Sequence, residues 1–135
     1  MSEKFKQISV RSGFMKHNGG ILFRKISDLE FEFKVNIDEN KLNSAGITHG
    51  GYICSVIDAG AGAAAHRTSK NTNCVTISLD IKFIGATKLG DKIIGFAKIQ
   101  KITNSLVFLN CYLKSKSKLV ASASGIWKKM TKKIS

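Results

Sequence analysis

A run of sixteen residues, Gly50 to Ala65, limits what this chain can become more than any other stretch. It reads G-G-Y-I-C-S-V-I-D-A-G-A-G-A-A-A. Tyr52, Ile53, Val56, Ile57 and Gly60 recur at helical spacing and give one apolar stripe. Beyond them Gly60, Ala61, Gly62, Ala63, Ala64 and Ala65 carry almost no side-chain bulk. Two glycines inside a helix cost about 1 kcal/mol each against alanine, so close approach of another backbone is the expected compensation. A helix this apolar must be wrapped by something. The run is too short for a bilayer, which requires roughly 20 residues, and Asp58 interrupts it. The polar opening, Met1 to Gln7, lacks the apolar core of a secretory signal, so a cytoplasmic protein is expected, with no membrane partner.

The wrapping can be read from the flanking sequence. Leu29, Phe31, Phe33, Val35 and Ile37 alternate with polar residues, as do Val75, Ile77, Leu79, Ile81 and Phe83. Period two predicts half-buried strands. Ile21 to Ile26 pairs with the first run through a Ser27-Asp28 hairpin. Ile93 to Ile102, Leu106 to Leu113 and Leu119 to Trp127 are further strands, and the short breaks between them mean antiparallel hairpins. Residues 2 to 12 predict a helix turn packed through Phe5, Ile8 and Val10. Gly13 to Gly20, which holds His17, and Asp38 to Thr48 read as loops, and Lys88 to Asp91 as a turn. The expectation is an α+β fold, one antiparallel β-sheet wrapped around one central helix, with four consecutive antiparallel strands after that helix. One domain is expected over residues 1–135, with its core at about 21–130.

A chain of 135 residues, 43% of them hydrophobic, suits one buried core. The net charge of +13 has two readings. One is a polyanionic partner, either nucleic acid or a ligand with several phosphates; the other is lysine used for solubility. The lysines spread evenly from Lys4 to Lys133, and the densest group, Lys128, Lys129, Lys132 and Lys133, sits at the end of the chain. No nucleic-acid motif accompanies them, so a nucleic-acid partner is not expected. Cys54, Cys74 and Cys111 match neither a zinc spacing nor a disulfide framework and read as small buried apolar residues. Neither a metal nor an organic cofactor is called for.

The chemistry gathers where the run begins. Thr48 is the expected N-cap. In His49-Gly50-Gly51 the two glycines clear side chains from around amides that have no intrahelical partner, and the helix dipole adds partial positive charge. Such amides can form an oxyanion hole, or the dipeptide can be a plain turn. Asp58 is expected to be partly buried, where it would act as a general base or a nucleophile, unless it simply faces solvent. It lies eight residues beyond Gly50, about 12 Å along a helix axis. One helix cannot bring both to one carbonyl, so cooperation requires a second copy of the chain and a dimer with shared sites.

The pattern Asn43-x-x-Gly46-x-x-His49-Gly50-Gly51, followed by Asp58 and then by Thr76 in T-I-S-L-D-I-K-F, resembles the hotdog-fold acyl-CoA thioesterases of the phenylacetate-degradation (PaaI-like) type. The upstream G-F-M-K-H-N-G-G also resembles one branch of that family, and the similarity runs over residues 13 to 130. The resemblance implies a hotdog fold, homodimers that often pair into tetramers, and hydrolysis of an acyl- or aryl-CoA to a free acid and CoA. It implies that Gly50 donates its amide to the thioester oxygen and that Asp58 from the partner subunit attacks or activates water. Asn43 would help hold the thioester or the water, Thr76 would assist near the carboxylate, and His49 would orient the loop. Gly46 and Gly51 of the same motif would lie against substrate. Two other readings keep the fold: an acyl-CoA-binding domain without catalysis, and an acyl-thioester dehydratase or hydratase, whose motif is not found here.

Overall fold

The computed structural model describes residues 2–130. In chain order it has β1 (Lys6–Gln7), a one-turn α1 (Phe14–His17), β2 (Leu22–Ser27), β3 (Glu30–Asn36), a 3-10 turn (Glu39–Lys41) and α2 (Gly50–Thr68). Four long strands follow: β4 (Cys74–Phe83), β5 (Lys92–Ile102), β6 (Leu106–Ser115) and β7 (Lys118–Lys129). All seven strands join one sheet in the order β1-β2-β3-β5-β6-β7-β4, antiparallel throughout. The sheet closes over α2, whose stripe of Tyr52, Ile53, Val56, Ile57, Gly60, Ala61, Ala64 and Ala65 is buried. The inward residues Phe31, Phe33, Ile93, Ala97, Val107, Leu109 and Leu113 complete the core.

The small side chains of α2 make room for two rings. A Cβ on Gly60 would lie 2.5 Å from the ring of Phe33, and one on Gly95 of β5 would lie 2.2 Å from the same ring. Trp127 is seated likewise: a Cβ on Gly62 of α2 would lie 3.4 Å from its indole nitrogen, and one on Gly125 would lie 2.5 Å from its six-membered ring. The compensation for two helical glycines is therefore the close seating of aromatic side chains, not of a second backbone as expected. The helix ends where Lys70 and Asn71 turn left-handed, with φ of 57° and 60°. The Ser69 amide closes the last turn on Ala65 and His66 carbonyls. The β6–β7 hairpin turns on Lys116 and Ser117, both at positive φ, the geometry that matches strand twist in a two-residue loop.

Several expectations are corrected. The four strands after the helix are consecutive in sequence but not in space: β4 leaves the helix for the far edge beside β7, and β5 pairs with β3. Edge placement explains why β4, despite clean alternation, leaves Ile77 and Phe83 more than half exposed. A bulge between Thr76 and Ser78 also breaks its register. The opening segment contributes β1 rather than a helix turn, since Lys6 and Gln7 pair with Phe23 and Leu22. The helix turn lies instead at Phe14–His17, inside the stretch read as loop. Of the cysteines only Cys111 is buried; Cys54 and Cys74 are half-buried, and all three are free thiols. Lys132 and Lys133 lie outside the described residues. Among those residues, no helix is long and apolar enough to cross a membrane.

Candidate active site

The start of α2 is organised by His49, not by Thr48. His49 is extended, and its Nδ1 accepts from the Gly51 amide at 2.8 Å, which makes it the N-cap. Its carbonyl accepts from the amides of Tyr52 and Ile53 at 3.0 and 3.1 Å. Thr48 is buried instead, its hydroxyl 2.6 Å from that of Thr87 and its amide donating to the Thr87 carbonyl at 2.8 Å. Of the two glycine amides expected to be free, Gly51's is spent on the cap. Gly50's donates to no acceptor among the described residues.

Gly50 lines a cavity of about 310 Å³ together with Asn43, Ile47, Phe83, Ile84 and Thr87. The loop before it is held by Asn43, whose Oδ1 accepts from the amides of Ala45 and Ile47 at 2.9 and 3.3 Å. Gly46, at φ +81°, makes the turn that this loop needs, in a conformation glycine adopts without strain. Asn43 thus builds the loop with its oxygen, while its Nδ2 has no acceptor among the described residues.

Asp58 stands on the face of α2 turned away from the core. It is exposed in this chain rather than partly buried, because it lies off the apolar stripe. The Thr76 hydroxyl donates to its Oδ1 at 2.6 Å, which fixes the carboxylate and leaves Oδ2 open. One subunit therefore presents two separate groups: Asp58 with Thr76, and, about two helical turns away, Gly50 with Asn43.

Three residues of this region were not singled out in the sequence. Phe83 and Thr87 shape the cavity, and Lys41 supports the turn from below. Lys41 is 6% exposed; its Nζ donates to the Asn36 carbonyl at 2.6 Å, and its carbonyl accepts from the His49 amide at 2.8 Å. Its ammonium lies 3.5 Å from Asp38 and 5.3 Å from the centre of the Tyr52 ring. A lysine in a polar loop reads as solvated, so only the register of Leu42 against Thr48 shows that it is tucked in. The Tyr52 phenol is buried without a partner among the described residues, and burial, then Asp38, pushes its pKa up to about 12.

The profile of the thioesterase superfamily matches residues 45–122, which include the cavity loop from Ala45 on, α2, β4, β5, β6 and the start of β7. A candidate esterase of Pseudomonas aeruginosa is 29% identical over 126 residues, covering 93% of this chain and 94% of that protein. Zebra fish thioesterase superfamily member 2 superposes with a TM-score of 0.81 at 20% identity, over 90% of each chain. A Streptococcus pneumoniae hypothetical thioesterase protein, crystallised with coenzyme A, gives 0.77 at 17% identity, over 85% of this chain and 89% of that one. The PaaI protein of Escherichia coli, from the phenylacetic acid degradation operon, gives 0.72 at 18% identity over 78% and 76%. These likenesses show the fold to be the hotdog.

Proposed function

Because the chain belongs to the thioesterase superfamily, we propose that it hydrolyses acyl-CoA thioesters as a homodimer, each active site drawing on both subunits. The observation that carries the proposal is the Gly50 amide, which starts a helix, lines a cavity and has no acceptor among the described residues. An unpaired amide at the positive end of a helix suits the oxygen of a thioester, whose negative charge grows as the carbonyl carbon becomes tetrahedral. The Nδ2 of Asn43 is a second donor on the same wall. His49 holds the turn through its cap and takes no proton.

Asp58 acts from the partner subunit. Its free Oδ2 accepts a proton from water as the water oxygen bonds to the carbonyl carbon. When the intermediate collapses the C–S bond breaks, and the proton held on Asp58 passes to the departing CoA sulfur. Thr76 keeps the carboxylate aimed while this happens. Assembly through β4 supports such sharing, since β4 is a free edge carrying exposed Ile77 and Phe83. Two β4 strands paired antiparallel about an axis between Leu79 and Asp80 set Thr76 opposite Phe83 of the partner subunit. Each Asp58 then meets the other subunit's cavity.

Coenzyme A as the carrier is supported by the relative crystallised with it and by the net charge of +13, which favours approach of a pyrophosphate. Lys88 is bridged to Ile47 of the cavity lining, which sets a lysine beside it. The reading implies a cytoplasmic protein, and three free thiols fit a reducing compartment.

The test is release of free thiol from a panel of aryl- and fatty-acyl-CoAs, with Asp58→Asn alongside. Turnover by the wild type and a loss of about 10²- to 10⁴-fold in the variant are expected. No release from any thioester, or a variant as fast as the wild type, overturns the proposal.

A further inference from the structure

A second cavity, of about 390 Å³, lies between α2 and the N-terminal segment. Its floor includes Ala59, the residue next to the carboxylate, and its walls are Ile8, Met15 and Ile21. The roof is the N-terminal segment, residues 8–16. That segment is tied down: the Gln7 Oε1 accepts from the amides of Ser9 and Ile21, both at 2.9 Å, and the Ile8 amide donates to the Ile21 carbonyl. Val10, which lines the cavity, and Phe14, in the helix turn that forms part of the roof, are 68% and 63% exposed. Apolar side chains are thus held open around an apolar hollow, which is the setting of a ligand pocket, and the volume lies in the usual ligand range of about 300–1,000 Å³.

Resting on the thioesterase reading above, we infer that this hollow receives the acyl tail of the substrate, and that the class of substrate is an acyl-CoA with an apolar tail of medium length. Geometry gives the direction. The thioester carbonyl sits between Asp58 and the Gly50 cavity of the partner subunit, and the CoA sulfur leaves toward that cavity. The acyl substituent leaves the carbonyl on the other side, along the surface of the helix that bears Asp58. Ala59 is the first residue there, and its methyl opens the floor. Arg11 and Lys16 are also in the lining, so the apolar room is bounded by charge, which sets a limit on chain length. The tail pocket and the carboxylate therefore belong to one subunit, and the oxyanion donor to the other. Acyl selection falls to the N-terminal segment, residues 8–16.

Ala59→Leu fills the floor, and Met15→Trp narrows the opposite wall, so two variants reach the same hollow from different elements. Two readouts are needed: kcat/KM for decanoyl-CoA relative to acetyl-CoA, and calorimetric binding of the non-hydrolysable thioethers octyl-CoA and ethyl-CoA. The ratio of kcat/KM is expected to fall at least tenfold in each variant, and octyl-CoA to lose at least tenfold in affinity while ethyl-CoA changes far less. Circular dichroism and thermal melting establish that both variants fold. If chain-length preference is unchanged in both folded variants, the assignment of the hollow is overturned. If no thioester is hydrolysed yet octyl-CoA still loses affinity in the variants, the hydrolysis reading falls and the tail pocket stands.

Discussion

In the proposed mechanism Gly50 supplies the amide that meets the thioester oxygen, and its place in the helix allows a clean deletion. It is the first helical residue, where proline is well accommodated, and His49 before it is extended at φ −63° and ψ 131°, as a residue preceding proline should be. A Cβ there would meet only the Phe83 ring, at 3.5 Å, an ordinary contact. Gly50→Pro therefore removes one N–H with little else, and a loss of about 10²- to 10³-fold in kcat is expected with the melting temperature nearly kept. Thr76→Val should lower kcat through a misaimed carboxylate, and Thr76→Ser should restore it. A fall in KM alone, without kcat, would exclude that role. The pair of Asp58 and Thr76 was legible in the sequence only through a spaced motif, because neither a lone carboxylate nor a strand threonine is informative by itself. Lys41 and the His49 cap were not legible: both depend on side chains folding back onto a loop whose path no periodicity encodes. Burial also pushes the Tyr52 phenol and the Cys111 thiol up to about 12 each. Their neutral forms are favoured in the fold, while the unfolded chain releases those protons at about 10 and 8.5. Stability is thus full below about pH 8.5 and is lost as pH rises toward 12, which thermal melts across that range will show.

At the scale of elements, α2 and β4 behaved differently under the same kind of pattern. The apolar stripe of α2 is buried as its spacing requires, since a helix enclosed by a sheet has nowhere else to put it. The alternation of β4 is just as regular, yet its edge position leaves Ile77 and Phe83 of its apolar residues uncovered. Edge and centre differ in topology, not in local composition, and the chain order does not reveal that β4 skips to β7. The glycines of α2 can be separated by experiment. At Gly60 an added methyl collides with Phe33, whose ring is already confined by Gly95, so Gly60→Ala should destabilise by about 1–3 kcal/mol despite the better helix former. At Gly62 the nearest atom is 3.4 Å away, a contact that yields by a few tenths of an ångström, and Gly62→Ala should be neutral or stabilising by up to about 1 kcal/mol. Urea denaturation of the two variants reads the contrast, and equal midpoints would contradict the seating of Phe33.

For the whole molecule, the fold was readable because every long element carried its own period, whereas assembly had to be inferred from a distance. Mixing variants tests that inference directly. Neither Asp58→Asn nor Gly50→Pro alone should be active, but a fully exchanged equal mixture should recover about a quarter of wild-type activity, since half the dimers are mixed and each holds one intact site of two. No recovery in a mixture shown to contain mixed dimers would place both groups in one subunit. Replacing Ile77 with Asp on the free edge should yield monomers in sedimentation. The charge of +13 predicts that KM for an acyl-CoA rises with ionic strength while kcat holds, because screening weakens attraction of the phosphates. A last consequence follows from Gly50 and Asp58 riding on the same helix, which acts as a ruler too long for one site. If the proposed sharing of sites holds, an isolated subunit is half a catalyst, and below the dimer dissociation constant the initial rate should climb with the square of protein concentration and only later become linear.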